Sequence, residues 1–186
     1  FDLAERFQTP VLVLSDLDIG MNDWMVPKLT WDDAYEPDRG KVLSAEELEA
    51  AKSFYRYLDV DGDGIPYRSL PGVHPKGSFF TRGSGHNKFG GYTEDSDEYK
   101  EVLDRIAVKV NSAADHVPAP FMRGSGKARI GVITVGSCHA ACMEAMDLMA
   151  KDGLDVDYMR VRGFPFGKEV EHFIDSHEEN FVVEMN

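Results

Sequence analysis

The chain has 186 residues, room for one large domain or two small ones, and its 42% hydrophobic and 28% charged content is that of an ordinary globular protein. With 20 basic against 33 acidic side chains the net charge is −13, which argues against a nucleic-acid surface, since phosphate binding needs a basic footprint. No apolar run approaches the roughly 20 residues of a membrane span, no secretory leader is visible, and two cysteines are too few to staple a secreted domain.

A reducing, cytoplasmic setting is therefore expected, with no nucleic-acid or membrane partner. Residues 1–7 read as the last turns of a helix without an N-cap, and residues 181–185 as a strand with nothing after it. The expectation is a piece of a larger enzyme subunit, cut at both ends. Pro10 opens a continuous apolar run, Val11 to Ser15, the pattern of a strand buried on both faces of a parallel sheet. Ser44 and Glu47 form a capping box, and the helix behind it carries Leu48, Ala51, Tyr55 and Leu58 on one face.

Residues 59–94 show no sustained periodicity and are dense in Gly and Pro, so they read as a long functional or disordered loop. A helix is predicted over 96–116 from the stripe Tyr99, Leu103, Ile106, Val110 and Ala113. Arg123-Gly124-Ser125-Gly126-Lys127 reads as a linker, with a domain boundary there. Beyond it, strands over 130–135, 156–161 and 181–185 alternate with helices over 137–151 and 168–179. That alternation implies an α/β fold with a parallel sheet.

Three constellations could carry chemistry. Asp59-Val60-Asp61-Gly62-Asp63-Gly64-Ile65 resembles the first half of an EF-hand calcium loop, which binds through positions 1, 3 and 5. The twelfth position is Leu70 instead of a bidentate Glu, and Pro66 interrupts the usual course. Two readings stand: a Ca2+ or Mg2+ ion held by Asp59, Asp61 and Asp63, or an acidic turn with no ligand.

The second is an island without Asp or Glu, residues 65–93, that holds Arg68, His74, Lys76, Arg82, His86 and Lys88. Its core, Arg82-Gly83-Ser84-Gly85-His86, pairs a guanidinium fork with glycine-freed amides, both suited to phosphate or carboxylate. The alternative is a set of cations that pair with acidic helices elsewhere. The third is Gly136-Ser137-Cys138-His139, between a strand and a helix, where amides can bind anions. Cys138, Cys142, Ala145, Met146 and Met149 form one helical stripe that reads as core, and His177 reads as a packed histidine. Neither a P-loop nor a dinucleotide fingerprint nor a nucleophile elbow is present.

Several segments together resemble one family. Residues 7–22, Phe7-Gln8-Thr9-Pro10 through Ser15-Asp16-Leu17-Asp18-Ile19-Gly20-Met21-Asn22, are similar to the end of the pyrimidine-binding domain in 2-oxoacid:ferredoxin oxidoreductase alpha subunits. The stretch from Asp59 to Arg68, then Leu70-Pro71-Gly72, Phe80 to His86 and Thr93-Glu94-Asp95, resembles the 2-oxoglutarate branch. Residues 131–186 look like the transketolase C-terminal-type domain that follows. The resemblance implies residues 1–122 as the end of a thiamine-diphosphate pyrimidine-binding domain with a long loop insertion, and 123–186 as an incomplete transketolase C-terminal-like parallel-sheet domain.

It also implies a reaction: 2-oxoacid, CoA and oxidised ferredoxin give acyl-CoA, CO2 and reduced ferredoxin. Thiamine diphosphate, Mg2+ and a [4Fe–4S] cluster would serve the whole enzyme, mostly on a partner beta subunit that carries the cluster cysteines and the Mg-diphosphate motif, while the family's activating Glu and substrate-binding Thr would lie in the first half of the pyrimidine-binding domain, outside these residues. No catalytic residue is assigned to this chain. Asp16 and Asn22, at the carboxyl end of the first predicted strand, are the expected cofactor contacts. Arg82 and His86 are expected to meet the 2-oxoacid carboxylate, CoA phosphates or a neighbouring subunit. The alternatives are a calcium-binding structural module carried by Asp59–Gly64, and the C-terminal region of another thiamine-diphosphate enzyme.

Overall fold

A computed structural model describes residues 1–81 and 83–185. The helices are α1 (Asp2–Phe7), α2 (Leu17–Met21), α3 (Ala45–Ala50), α4 (Ser96–Ser112), α5 (His139–Lys151) and α6 (Lys168–Asp175). The strands are β1 (Phe121–Arg123), β2 (Ile130–Thr134), β3 (Val156–Arg160) and β4 (Glu179–Val183). Two compact units result: Phe1–Val11 with Tyr35–Ala113, and Leu12–Ala34 with the chain from Ala114 onward. No helix among the described residues is long and apolar enough to cross a membrane.

In the first unit, the capping box starts α3 as the sequence predicts: Ser44 Oγ accepts from Glu47 N at 3.2 Å and Glu47 Oε2 from Ser44 N at 2.8 Å. The helix stops at Ala50 and does not reach Leu58, because the aromatic run behind it is drawn into tertiary packing. Phe54 meets Phe79 edge-on and Tyr55 meets Phe89 at 5.0 Å between ring centres. Leu48 is wholly buried in this unit, and Phe7, Ile65 and Ser69 are buried in it too. Gly77 packs so closely on Leu48 and Ser69 that a Cβ would lie 2.8 Å from Ser69 Cβ.

Helix α4 begins where the sequence places it, because Asp95 caps the amides of Asp97 and Glu98. Its inward face differs from the predicted stripe. Tyr99, Leu103 and Val110 are exposed, whereas Val102 is buried and Arg105, Ile106 and Lys109 are partly covered. Two long cations on the inner face hid it from a reading by hydrophobicity, since their aliphatic stems can line a packed surface.

In the second unit, one sheet runs in the order β1-β3-β2-β4. Strand β2 is parallel to both neighbours, with Val132 opposite Tyr158 on one side and Phe181 on the other, and β1 is antiparallel to β3. The predicted strand–helix alternation is therefore present. Ile133, Met159, Val170 and Phe173 form its core, where α6 covers the sheet. Cys138, Cys142, Met146 and Met149 face inward as the stripe predicts, while Ala145 is exposed.

Three predicted features are corrected here. The run Val11–Ser15 is not a strand: it has no ladder partner, and Val13 is 92% exposed. Apolar patterning reports a tendency to be buried, but a strand exists only where a second backbone supplies its hydrogen bonds. The predicted linker is anchored, because Arg123 belongs to β1 and the amides of Gly126 and Ala128 bind Asp157. The last strand starts at Glu179 and lies exposed at the sheet edge.

Candidate functional site

The acidic loop in the first unit organises itself around its own backbone. Asp59 Oδ1 and Oδ2 accept from the amides of Gly62 and Gly64 at 2.9 and 2.8 Å, and Asp63 Oδ1 accepts from Ile65 N at 2.9 Å. Oxygens of Asp59, Asp61 and Asp63 lie within 4.8 Å of one another, close enough to share a cation. Sequence reasoning missed the group that meets them. Lys41 Nζ lies 2.7 and 2.8 Å from the two Asp61 oxygens, 2.7 Å from Asp63 Oδ1 and 3.0 Å from the Ile65 carbonyl. Burial opposes the Lys41 charge, but Asp61 and Asp63 outweigh it and raise the ammonium above its ordinary pKa.

The basic island resolves mostly into ion pairs. Arg68 bonds Glu5, His74 and Lys76 both meet Glu49 at 3.2 Å, and Lys88 meets Glu101 at 2.8 Å. Arg68, Lys76 and Lys88, with His74 beside the same Glu49, follow the alternative in which acidic segments elsewhere meet the island's basic groups. His86 stacks on Tyr57 with ring centres 4.1 Å apart, and its Nδ1 lies 2.9 Å from the Asn87 carbonyl. Asn87 Oδ1 holds the turn behind it through the amides of Phe89 and Gly91. Arg82 lies outside the described residues.

At the carboxyl end of β2, in the second unit, the predicted anion turn is already filled. Asp16 Oδ2 accepts from Ser137 N at 2.8 Å, while Oδ1 caps α2 through Ile19 N at 2.8 Å. Gly136 has φ +70°, and a Cβ there would lie 2.5 Å from Asp16 Oδ2, so this approach needs glycine. The Ile19 amide above all, against the cost of burial and with the help of the Ser137 amide, holds the Asp16 carboxyl below its usual range. The structure thus brings Asp16 to the turn that sequence reasoning had singled out separately. Asn22 ends α2 with its side chain exposed.

Beneath that turn runs a buried polar chain. Tyr158, with no exposed surface, has its hydroxyl 2.7 Å from Thr134 Oγ1 and 2.8 Å from His139 Nδ1, and Phe121 packs edge-on against both rings. Burial, then Arg160, lowers the His139 pKa, so the ring is neutral at pH 7 and can accept from the Tyr158 hydroxyl. Tyr158→Phe should lower stability by about 1–2 kcal/mol, because it leaves Thr134 and His139 without their partner. A urea midpoint unchanged by this substitution would rule out that role. The sequence offered one signal for this region: Asp157 and Tyr158 interrupt an apolar strand pattern with polar atoms that must find partners.

No protein-family model matches the chain. A 2-oxoacid:ferredoxin oxidoreductase alpha subunit of Aeropyrum pernix is 26% identical over 192 residues, which cover 100% of this chain and 29% of that protein. The 2-oxoglutarate synthase subunit KorA of Methanothermobacter thermautotrophicus is 25% identical over 190 residues, covering 100% of this chain and 48% of its own length. The chain is thus similar along its whole length to 2-oxoacid:ferredoxin oxidoreductase alpha subunits.

The fold agrees with that similarity. The 2-oxoglutarate:ferredoxin oxidoreductase of Magnetococcus marinus, solved with 2-oxoglutarate, coenzyme A and succinyl-CoA bound, superimposes with a TM-score of 0.86 at 24% identity, over 100% of this chain and 32% of that one. The chain thus spans less than half the length of each of these proteins, and over its whole length it has the fold of the corresponding part of the Magnetococcus marinus structure.

Proposed function

We propose that this chain forms part of the alpha subunit of a thiamine-diphosphate-dependent, CoA-acylating 2-oxoacid:ferredoxin oxidoreductase, with 2-oxoglutarate as the 2-oxoacid. The observation that carries the reading is similarity along the whole chain to alpha subunits of that kind. The reaction converts 2-oxoacid, CoA and oxidised ferredoxin into acyl-CoA, CO2 and reduced ferredoxin. The enzyme works in the cytoplasm beside a beta subunit.

The residues present do not make up a site for the cofactors themselves. A [4Fe–4S] cluster takes about four thiolates, and the chain has two cysteines, Cys138 and Cys142, on one packed helical stripe. On this reading the cluster, thiamine diphosphate and its Mg2+ are held mostly by the partner subunit. Asp16 and Asn22 belong to the rim of the cofactor site, Asp16 by pinning the 16–22 turn to the start of α5. Arg82 and His86 serve the 2-oxoacid carboxylate or the CoA phosphates. The calcium-module alternative loses its support where Lys41 lies among the loop carboxylates.

The test is an assay of the full-length protein with its beta subunit for 2-oxoacid- and CoA-dependent reduction of ferredoxin. Turnover with 2-oxoglutarate well above that with pyruvate is expected, and Arg82→Ala should raise the KM for 2-oxoglutarate or CoA several-fold. No CoA-dependent reduction with any 2-oxoacid would overturn the assignment, and unchanged KM values would remove Arg82 from it.

A further inference from the structure

We propose that the Asp59–Ile65 loop is a cation site whose resident cation is the Lys41 ammonium, so that the loop forms without metal. In a calcium loop of this pattern, positions 1, 3 and 5 supply carboxylates and position 7 a backbone carbonyl. Counted from Asp59, positions 3, 5 and 7 are Asp61, Asp63 and Ile65. Lys41 Nζ bonds all three, at 2.7–2.8 Å to both Asp61 oxygens, 2.7 Å to Asp63 and 3.0 Å to the Ile65 carbonyl. An ammonium has three donors and a single charge, and here it takes the acceptor set that a divalent ion would take. Position 1 is turned inward: Asp59 ties the amides of Gly62 and Gly64.

The ammonium is delivered by backbone pairing. Lys41 O accepts from Arg68 N at 2.9 Å, and Arg68 O accepts from Leu43 N at 2.9 Å, so the strand-like segment bearing Lys41 is tied to the residues just after the loop. The Lys41 side chain is 21% exposed, and its Nζ lies 5.1 Å from the Tyr67 ring centre. A Ca2+ ion would need oxygens at about 2.3–2.6 Å around the point that Nζ now serves, so the two cations exclude each other. The missing twelfth-position carboxylate follows from this arrangement, because a monovalent, three-donor cation needs no bidentate ligand, and Leu70 can stand there.

Calcium titration of the full-length protein by calorimetry tests the assignment, with Lys41→Met to remove the charge and Lys41→Arg to keep it. The wild type and K41R should show no saturable site up to ~1 mM Ca2+, whereas K41M should gain one with a Kd of about 10⁻⁴–10⁻³ M, as in weak sites with few carboxylates. Adding Asp61→Asn to K41M should abolish that site. A saturable Ca2+ site in the wild type that Asp61→Asn removes would overturn the proposal, and so would a folded K41M that gains none. Should K41M not fold, Lys41→Gln, which keeps a polar side chain without the charge, provides the same comparison.

Discussion

Asp157→Ala should destabilise the sheet unit by about 3–5 kcal/mol, one of the two largest single-residue effects expected in this chain. Asp157 lies in β3 with its side chain 3% exposed. Oδ1 accepts from Gly126 N at 2.8 Å, and Oδ2 accepts from Ala128 N at 3.0 Å and lies 3.1 Å from His177 Nε2. His177, itself 2% exposed, is held at its other nitrogen by the Phe173 carbonyl at 2.5 Å. One carboxylate therefore ties the 124–128 turn, β3 and the end of α6 together. Alanine would strand two amides and an imidazole away from water, and each such loss carries its full desolvation penalty.

The pH dependence follows from the same geometry. Burial pushes the Asp157 carboxyl up, but the Gly126 and Ala128 amides, with His177, outweigh it and hold the pKa below its ordinary value. A carboxyl whose folded pKa lies below the unfolded value of about 3.9 contributes its full stability above that value and loses it as pH falls through the folded pKa. Wild-type stability should fall steeply in acid below about pH 4, and Asp157→Asn should flatten that slope while lowering the plateau. Urea unfolding followed by amide exchange in β2 and β3 between pH 3 and 7 would measure both. Equal acid slopes for wild type and D157N would refute the account.

Gly64→Ala should cost about 3 kcal/mol or more in the first unit, where Gly62→Ala costs only about 1–2. Both glycines sit in the acidic loop with nearly the same left-handed backbone, φ +83° and +81°. Their surroundings differ. A Cβ on Gly62 meets nothing within 4 Å, whereas one on Gly64 would lie 2.6 Å from Lys109 N and 2.8 Å from Arg105 O. Those are backbone atoms of α4 and cannot turn aside, and Arg105 Nη1 also clasps the Gly64 carbonyl at 2.8 Å. Gly64 thus serves close packing of the loop on a helix, beyond the turn itself. Urea midpoints for the two variants separate the effects, and similar losses would mean that only the backbone angle matters.

Two sequence signals for ligands meet a common fate. The acidic loop that suggested a metal is met by Lys41, and the helix-start turn that suggested an anion is met by Asp16. In both places the sequence left an ion-binding reading open beside a plainer one, and in the structure a side chain of the same chain lies there. What the sequence could not reveal was that the ion is a side chain 20 residues away in one case and 121 in the other. Charge and glycine spacing are local, whereas the partner is chosen by the path of the chain between them.

The same division runs through the fold. The Ser44–Glu47 capping box, the start of α4 at Ser96 and the strand–helix alternation after residue 129 were legible in the sequence, because caps and periodicities depend on residues within a turn or two of each other. The packed stripe of Cys138, Cys142, Met146 and Met149 belongs with them. Tertiary structure alone decided that residues 11–15 form no strand, that Phe121–Arg123 does, and that α4 turns Arg105 and Lys109 inward. It also decided that Asp157 and His177 are joined in the interior. Each of these depends on a hydrogen-bonding or packing partner that lies far along the chain, and no local pattern of residue types carries that information.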